Sequence, residues 1–433
     1  MTPASAEPSP ARRRAVTDGW PFHGLVIDRK WQPAPFRQFI LKMHSRCNLA
    51  CDYCYIYKMS DQNWSTRPMV MSHAILEQTA RRIAQHAVSH ELDVVDVVLH
   101  GGEPLLAGPD LLGAAATVLR RELPDDVELT MQMQTNGVLL DTATLDVLAR
   151  HRIRVSVSLD GPPDVHDRHR TYANGRGSYE ATARAIRLLN QEPYRELFAG
   201  LLCVIDALAD PVRTYESLQA FDPPKVDFLL PHGNWSAPPP YRSTDTSATP
   251  YGDWLAAVFD RWYAVPSRET QVRTFDEIIN LLLGGESRVE TIGLTLVALV
   301  TVDTDGSMEQ VDTLRSAYHG AAGTDLNVTD NSFDDALRLP AIMARQIGLD
   351  ALDESCRECP IHKICGGGYY PHRYRKGEGF RNPSVYCPDL LRLITHIQNR
   401  VQADLAMLWT DQVPGGSRSQ SARRWADAAT VSG

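Results

Sequence analysis

Residues 38–55, QFILKMHSRCNLACDYCY, join a strand-like run to three closely spaced cysteines. The run from Gln38 to Met43 is mainly apolar, which predicts a buried strand, and Cys47, Cys51 and Cys54 follow it directly. In β/α folds the chemistry lies at the carboxyl ends of the strands. The segment therefore predicts an α/β sheet with a thiol-based site at the end of its first strand.

Strand-like and helical patterns alternate along the chain from Phe36 to about Leu230. The strand-like runs are 38–43, 94–99, 129–134, 154–159, 198–205 and 226–230, and helical segments begin near Ser72, Asp110, Thr142, Ser178 and Pro211. Six strands alternating with helices predict a parallel sheet with right-handed crossovers. Beyond it, helices are expected at 251–263 and 275–283.

Length and charge limit the class of protein. The 433 residues suffice for two or three domains, and the net charge of -9 argues against binding to nucleic acid or to an anionic membrane. The longest apolar run, Ile292 to Val302, is too short to span a membrane and predicts a buried strand. The first residues show no signal peptide, so we expect a cytoplasmic protein with reduced thiols.

Three further polar or glycine-rich stretches follow predicted strands. They are HGGEP at 100–104, QTNG at 134–137 and SLDGP at 158–162. Any one of them could be turn chemistry. Because the carboxyl ends of parallel strands share one edge of the sheet, the four stretches together outline a single site.

A second group of cysteines lies near the C-terminus. Cys356, Cys359 and Cys365 have the spacing C-x2-C-x5-C, and Cys387 follows. Clustered cysteines in a reducing compartment indicate metal ligands rather than disulfides, so this group predicts either a zinc knuckle or a fully ligated [4Fe-4S] cluster. The first group offers three thiolates. It fits a [4Fe-4S] cluster with one open iron, or a zinc site with a distant fourth ligand. Cys203, alone in an apolar strand, is predicted to be a buried thiol.

The first group resembles the signature of the radical S-adenosylmethionine (SAM) enzymes, C-x3-C-x-aromatic-C, with Tyr53 in the aromatic position. The resemblance implies that SAM binds the open iron. It also implies that GGEP contacts the methionine amino group, that Arg170 pairs with the methionine carboxylate, and that polar groups after later strands contact the rest of SAM. The implied cofactor-binding residues are Tyr53, Gly101, Gly102, Glu103, Pro104, Asn136, Gly137, Ser158, Asp160 and Arg170.

The second group resembles the SPASM domain of peptide-modifying radical SAM enzymes. The implied fold is a partial (β/α)6 radical SAM barrel followed by a C-terminal SPASM-like iron–sulfur domain. The full pattern binds two auxiliary clusters, but here Tyr369 stands at one cysteine position and the upstream cysteines are missing. One auxiliary cluster is therefore expected, for two [4Fe-4S] clusters in all. Asp312 matches an aspartate that acts as a base in sulfatase-maturing relatives, and it is equally compatible with a turn or salt-bridge role.

Several stretches, including FLLPHGNWSAPP from Phe228, resemble the FxsB-type maturases that form three-residue cyclophanes. This implies a ribosomally synthesised precursor peptide as substrate and an electron donor such as a flavodoxin or ferredoxin. A 5′-deoxyadenosyl radical would remove a β-hydrogen, and the β-carbon would bond to an aromatic ring nearby. Two alternatives remain open. One is a formylglycine-forming oxidase of Ser or Cys, and the other is a zinc-stabilised binding scaffold without catalysis.

The chain is expected to divide into five parts. An N-terminal extension, 1–35, begins with a disordered stretch, and the radical SAM barrel covers 36–235. A linker and bridging segment covers 236–345, the SPASM-like domain 346–398, and a helix end with a flexible tail 399–433.

Overall fold

The computed structural model describes residues 13–17, 21–22, 25–28, 30–242, 248–265 and 270–411. The predictions of disorder at 1–12 and of a flexible tail at 412–433 lie outside these residues. Within the stretch expected to lack structure, the chain forms strand β1 (Arg13–Thr17), which pairs antiparallel with β2 (Leu25–Asp28). Composition missed this strand because its hydrogen-bond partners lie in the next segment.

The core of the fold is a ten-stranded sheet. Its strands are β3 (Gln38–His44), β4 (Val94–Gly101), β5 (Glu128–Thr135), β6 (Arg154–Ser158), β7 (Phe198–Val204), β8 (Lys225–Leu229), β9 (Gln271–Val272), β10 (Leu299–Val302), β11 (Ser307–Glu309) and β12 (Gly323–Asn327). The order is β12-β11-β10-β3-β4-β5-β6-β7-β8-β9. All pairs from β10 to β9 are parallel, and β11 and β12 join antiparallel. The six predicted strands, β3 to β8, are confirmed as the partial (β/α)6 barrel.

Helices connect these strands and cover the sheet. They are α1 (His73–Ser89), α2 (Gly108–Glu122), α3 (Thr142–Arg150), α4 (Pro163–His169), α5 (Tyr179–Leu189), α6 (Pro211–Gln219), α7 (Pro250–Tyr263), α8 (Arg273–Leu282), α9 (Phe333–Leu337), α10 (Pro340–Met343), α11 (Glu354–Glu358), α12 (His362–Cys365) and α13 (Cys387–Asp411). Helix α1 begins as predicted, because the Ser72 hydroxyl caps it by accepting from the Ile75 amide at 3.2 Å. Along this helix, Thr79, Ile83 and Ala87 form a buried stripe at helical spacing. No helix of the described residues is long and apolar enough to cross a membrane.

Segment 236–345, expected as a linker and bridge, contributes four strands to the main sheet. Strand β10 pairs in parallel with β3, with Leu299 opposite Gln38. The strand predicted from Ile292 forms only at Leu299–Val302, so its predicted start is wrong. The reason lies at Gly293, whose amide donates to the Ile364 carbonyl at 2.8 Å and whose φ is +82°. These features tie the preceding residues to α12 instead of to the sheet.

The C-terminal region is anchored on the barrel side of the molecule. The Asp389 carboxylate near the start of α13 accepts from the amides of Tyr251 and Gly252, both at 3.0 Å. It thereby satisfies free amides in the first turn of α7. On the exposed side of the same helix pair, Arg392 donates to Asp253 at 2.8 Å. These contacts fix the second cysteine group relative to the sheet, because Cys387 is the first residue of α13.

Candidate active site

A cavity of about 640 Å³ opens at the carboxyl ends of the strands. All three cysteines of the first group lie on its wall. So do Tyr53, Gly101, Gly102, Glu103, Asn136, Ser158 and Arg170 among the residues implicated by the sequence. Pro104 and Gly137 are not on this wall: Pro104 starts a buried turn of 3-10 helix, and Gly137 faces Val157 and Ala185. The four stretches outlined by the sequence therefore meet at one site.

The sulfur of Cys47 accepts hydrogen bonds from the cysteine loop and from the loop after β5. Cys47 Sγ accepts from the Leu49 amide at 3.4 Å and from Asn136 Nδ2 at 3.7 Å. Burial raises the pKa of Cys47 to about 12 and that of Cys51 to about 11. Thiols in this setting stay protonated until a metal binds them, so the loop suits metal coordination rather than nucleophilic attack.

The sulfur atoms of the two cysteine groups are spaced more widely here than the ligands around one zinc ion. Four sulfurs at about 2.3 Å from one zinc ion lie about 3.8 Å apart. Among the described His, Cys, Asp and Glu residues, the single set of three with ligand atoms within 4.8 Å of one another is His86, His90 and Asp334, which contains no cysteine. Soft thiolates spread more widely, three in one loop and four in the other group, fit the larger frame of an iron–sulfur cluster.

The second group gathers its four thiols around the ends of α11, α12 and α13. Burial raises the pKa of Cys356 to about 11 and that of Cys365 to about 12, and in both cases the nearby thiol of Cys387 raises it further. Cys359 in turn raises the pKa of Cys387 after burial. The four side chains are therefore neighbours, as the predicted set of four thiolate ligands requires.

The glycines of HGGEP lie against the backbone of the neighbouring strand end, and their predicted contact with SAM stays a prediction. A Cβ on Gly102 would lie 2.4 Å from the Arg46 carbonyl oxygen, and one on Gly101 would lie 2.3 Å from the His44 carbonyl oxygen. Their close approach is thus to the backbone that leads into the cysteine loop. The contact holds the ends of β3 and β4 together and sets the position of Cys47.

Glu103 is buried, and its carboxylate accepts three hydrogen bonds from other groups of the protein. It accepts from Thr135 Oγ1 at 2.6 Å, from the Asn136 amide at 2.8 Å and from the Leu105 amide at 3.0 Å. Burial raises its pKa to about 6. The geometry makes Glu103 an organiser of the loop after β5, whereas its direct contact with SAM stays a prediction.

Asp160 lies behind the cavity wall and holds Arg170 on it. The Asp160 carboxylate accepts from Arg170 Nε, from the Tyr53 hydroxyl and from the Val204 amide. Burial alone would raise the pKa of Asp160, but the adjacent Arg170 guanidinium holds it below its usual range. Ser158, on the wall itself, accepts from Gln134 Nε2 at 2.9 Å. Arg170 is therefore a fixed cation beside the cysteine loop.

Asp312 is placed beside the same cavity by a buried charge network. Lys42 Nζ lies 3.0 Å from Glu309 Oε2, and Arg315 Nη2 lies 2.5 Å from Glu309 Oε1. Burial favours the neutral form of Asp312, yet Lys42, the adjacent His100 and Arg315 keep its pKa below the ordinary value. Asp312 is thus an ionised carboxylate at neutral pH, while His100 stands between it and the open space at 3.6 Å.

Rings line the side of the cavity that faces the second cysteine group. The Tyr55 and His232 ring centroids are 4.7 Å apart, those of His232 and His372 are 5.7 Å apart, and those of His372 and Tyr386 are 5.0 Å apart. Tyr386 directly precedes Cys387. A continuous row of rings therefore joins the two cysteine groups, which sequence reasoning missed as a unit because the residues come from four separate segments.

Comparison with known proteins agrees with this architecture. Residues 41–218 match the model of the radical SAM superfamily. The chain is 25% identical over 362 residues to a cysteine-type anaerobic sulfatase-maturating enzyme of Clostridium perfringens, covering 82% of this chain and 94% of that protein. It is 27% identical over 352 residues to a serine-type anaerobic sulfatase-maturating enzyme of Klebsiella aerogenes, covering 78% and 81%.

Two solved structures have a similar fold. The structure of native anSMEcpe with bound AdoMet aligns with a TM-score of 0.71 at 22% identity, covering 85% of this chain and 98% of that one. Streptococcus suis SuiB bound to its precursor peptide SuiA aligns with a TM-score of 0.53 at 14% identity, covering 80% and 75%. The radical SAM match at residues 41–218 and the homology to the anaerobic sulfatase-maturating enzymes support an enzyme that uses SAM radical chemistry, with SAM and [4Fe-4S] clusters as its cofactors.

Proposed function

We propose that this enzyme modifies a ribosomally synthesised peptide by forming a carbon–carbon crosslink between an aromatic ring and the β-carbon of a nearby residue. The observation that carries the proposal is the ring-lined side of the cavity. Tyr55, His232 and Tyr369 lie on the cavity wall, and Tyr55 directly follows the last cysteine of the first group. Faces and edges of aromatic side chains pack favourably on another aromatic ring, so this side suits an aromatic residue of the peptide.

The cofactors would occupy both cysteine groups. Cys47, Cys51 and Cys54 would hold the cluster that binds SAM, and Cys356, Cys359, Cys365 and Cys387 would hold one auxiliary cluster. When bound, SAM and the first cluster supply a hydrogen-abstracting carbon radical, and the auxiliary cluster supplies a one-electron acceptor. An electron donor such as a flavodoxin or ferredoxin is part of the proposal, because the first cluster must be reduced.

The chain's own residues position the reactants. Arg170, held by Asp160, offers a fixed cation to the carboxylate of SAM. The cavity of about 640 Å³ is lined mainly by side chains from within the sheet domain and the 288–299 segment, which limits water around a reactive carbon. A proton must also leave the substrate, and His100 on the cavity wall, with the ionised Asp312 behind it, can accept it.

A second candidate function is the oxidation of Ser or Cys to formylglycine. It is favoured by the similarity to the cysteine-type and serine-type sulfatase-maturating enzymes. The missing upstream cysteines and Tyr369 count against it, because this chain offers ligands for one auxiliary cluster. Both functions use the same SAM site, so they are distinguished by the product.

The test is anaerobic co-expression with the short open reading frames beside the gene, followed by mass spectrometry of the peptides. The crosslink predicts the loss of two hydrogens, with fragmentation blocked between an aromatic residue and one two positions later. A product that reacts with a hydrazide reagent, which captures aldehydes, would establish formylglycine instead. The triple Cys47, Cys51, Cys54→Ala variant is the control and should give unmodified peptide. A colourless protein that carries zinc and no sulfide would contradict both enzymatic functions.

A further inference from the structure

We propose that His100 is the catalytic base that takes up the proton of the aromatic ring, and that Asp312 is the positioning residue behind it. The assignment rests on the proposed crosslinking function. It differs from the simpler expectation that Asp312 itself meets the substrate. Three features of the described residues carry it: access to the cavity, the contact between the two side chains, and the surrounding charges.

Access distinguishes the two side chains. His100 lies near the end of β4 on the wall of the cavity, and its side chain is 22% exposed. The Asp312 side chain is 4% exposed, and Asp312 is not among the described residues that line the cavity. A substrate in the cavity can therefore reach the imidazole of His100, whereas the carboxylate is behind it.

The contact between the two residues orients His100 so that one of its ring nitrogens can accept a proton. His100 Nδ1 lies 3.6 Å from Asp312 Oδ2, and each of these buried atoms lacks a hydrogen-bond partner among the described residues. An Nδ1 proton directed at the carboxylate leaves the lone pair on Nε2. The separation exceeds a hydrogen bond, but catalytic contacts of this kind tighten when the substrate binds.

The charges around the pair set the protonation states that the role requires. Titratable groups face the pair from β3, the cysteine loop, the segment after β8, the turn that starts at Asp312 and the segment after α12. They are Lys42, Cys54, Tyr55, His232, Arg315 and Tyr369. Burial lowers the pKa of His100, so the imidazole is neutral and able to accept a proton at neutral pH. The carboxylate stays ionised beside it and stabilises the imidazolium once formed.

The chemical step balances with these groups. Addition of the β-carbon radical to the ring forms the new carbon–carbon bond and leaves a hydrogen on the attacked ring carbon. That carbon–hydrogen bond then breaks. Its proton goes to Nε2 of His100 and one electron goes to an iron–sulfur acceptor, which restores the aromatic ring. His100 later releases the proton to water, so each crosslink removes two hydrogens from the peptide.

The test separates hydrogen abstraction from proton loss. A precursor peptide deuterated at the β-carbon reports abstraction through deuterium in 5′-deoxyadenosine, and the crosslinked product is measured in the same reaction. In His100→Gln, which keeps a polar side chain but no base, deuterium transfer should persist within about twofold. Crosslinking should fall by about 100-fold or more, the usual contribution of a general base. His73→Gln, an exposed histidine at the start of α1, should leave both quantities unchanged.

The pH profile provides a reading that a structural role would not alter. The Asp312 charge raises the pKa of His100, so Asp312→Asn should move the acid limb of crosslinking to lower pH and reduce its plateau. His100→Gln should remove this limb. Iron content and circular dichroism of each variant show whether it has folded and carries its clusters.

The outcomes separate this assignment from the proposed function. A wild-type reaction that gives an aldehyde overturns the crosslink and this assignment together. A wild-type crosslink that His100→Gln still forms at full rate overturns the assignment alone. So does an equal loss of deuterium transfer and crosslinking in that variant, because His100 would then serve binding or structure.

Discussion

Arg170 Nε donates to Asp160 Oδ2 at 2.9 Å behind the wall of the cavity. The same carboxylate accepts from the Val204 amide of β7 at 3.0 Å and from the Tyr53 hydroxyl of the cysteine loop. One buried anion therefore joins the cysteine loop, the turn after β6, the end of α4 and the end of β7. Its full set of partners compensates for the loss of hydration.

Replacing Asp160 with Asn should destabilise the protein and weaken SAM binding. The change leaves Arg170 buried without its anion, which typically costs about 3–5 kcal/mol. The free energy of unfolding in urea and calorimetric titration with SAM measure the two effects. Asp164→Asn is the matched control, because the Asp164–Arg213 pair is exposed on both sides and should change neither quantity appreciably. Equal behaviour of the two variants would refute the role given to Asp160.

Replacing Gly102 with Ala should separate the ends of β3 and β4. The added Cβ would overlap the Arg46 carbonyl oxygen and the Tyr57 hydroxyl, and overpacking of this kind costs about 1–3 kcal/mol. We expect lower thermal stability and a lower iron content after anaerobic purification, because Cys47 follows Arg46. Gly323→Ala, where the nearest atom to the new Cβ is 3.3 Å away, is the control. Full iron loading of Gly102→Ala would count against the proposed function of this glycine.

The barrel could be predicted from sequence because its signals are local. Each of the six strands is a short run that is either apolar or alternates apolar with polar residues. Helix α1 begins one residue after Ser72, and α6 begins at Pro211. The pairing of strands that are distant in sequence was harder to predict. Strand β10 belongs beside β3 because of hydrogen bonds between residues such as Leu299 and Gln38, and no local pattern specifies this partner.

The site could be predicted as a set of loops, but its internal contacts could not. Motif spacing identified the cysteines and the strand ends. It did not reveal that the carboxylates of Asp160 and Glu103 accept hydrogen bonds from other groups of the protein. Such partners depend on where each side chain is placed. The contact between His100 and Asp312 could not be predicted for the same reason, because the two residues lie far apart along the chain.

Stability should fall between pH 7 and pH 4 because His166 is buried in its neutral form. Its Nδ1 accepts from the Asp160 amide, its Nε2 contacts the Ser178 hydroxyl, and burial lowers its pKa to about 4. The unfolded chain binds this proton near pH 6.5, so acid favours unfolding over that interval by up to about 3 kcal/mol. Urea unfolding at a series of pH values measures the slope. His166→Gln should be less stable at pH 7 but show a flatter dependence, and an unchanged slope would rule His166 out as the cause.

The two cysteine groups should lose their clusters independently. The triple Cys47, Cys51, Cys54→Ala variant is expected to keep about half of the iron and sulfide, because the four cysteines that include Cys387 are predicted to hold a cluster of their own. Its remaining electron paramagnetic resonance signal should not respond to SAM, since an open iron requires the three-cysteine loop. The complementary Cys356, Cys359→Ala variant should also retain half of the iron, yet its signal should still change when SAM is added. Cys203→Ala, at a buried thiol apart from both groups, controls for the loss of a cysteine and should keep all of the iron. Loss of both clusters in either variant would show that the two ligand sets are not independent.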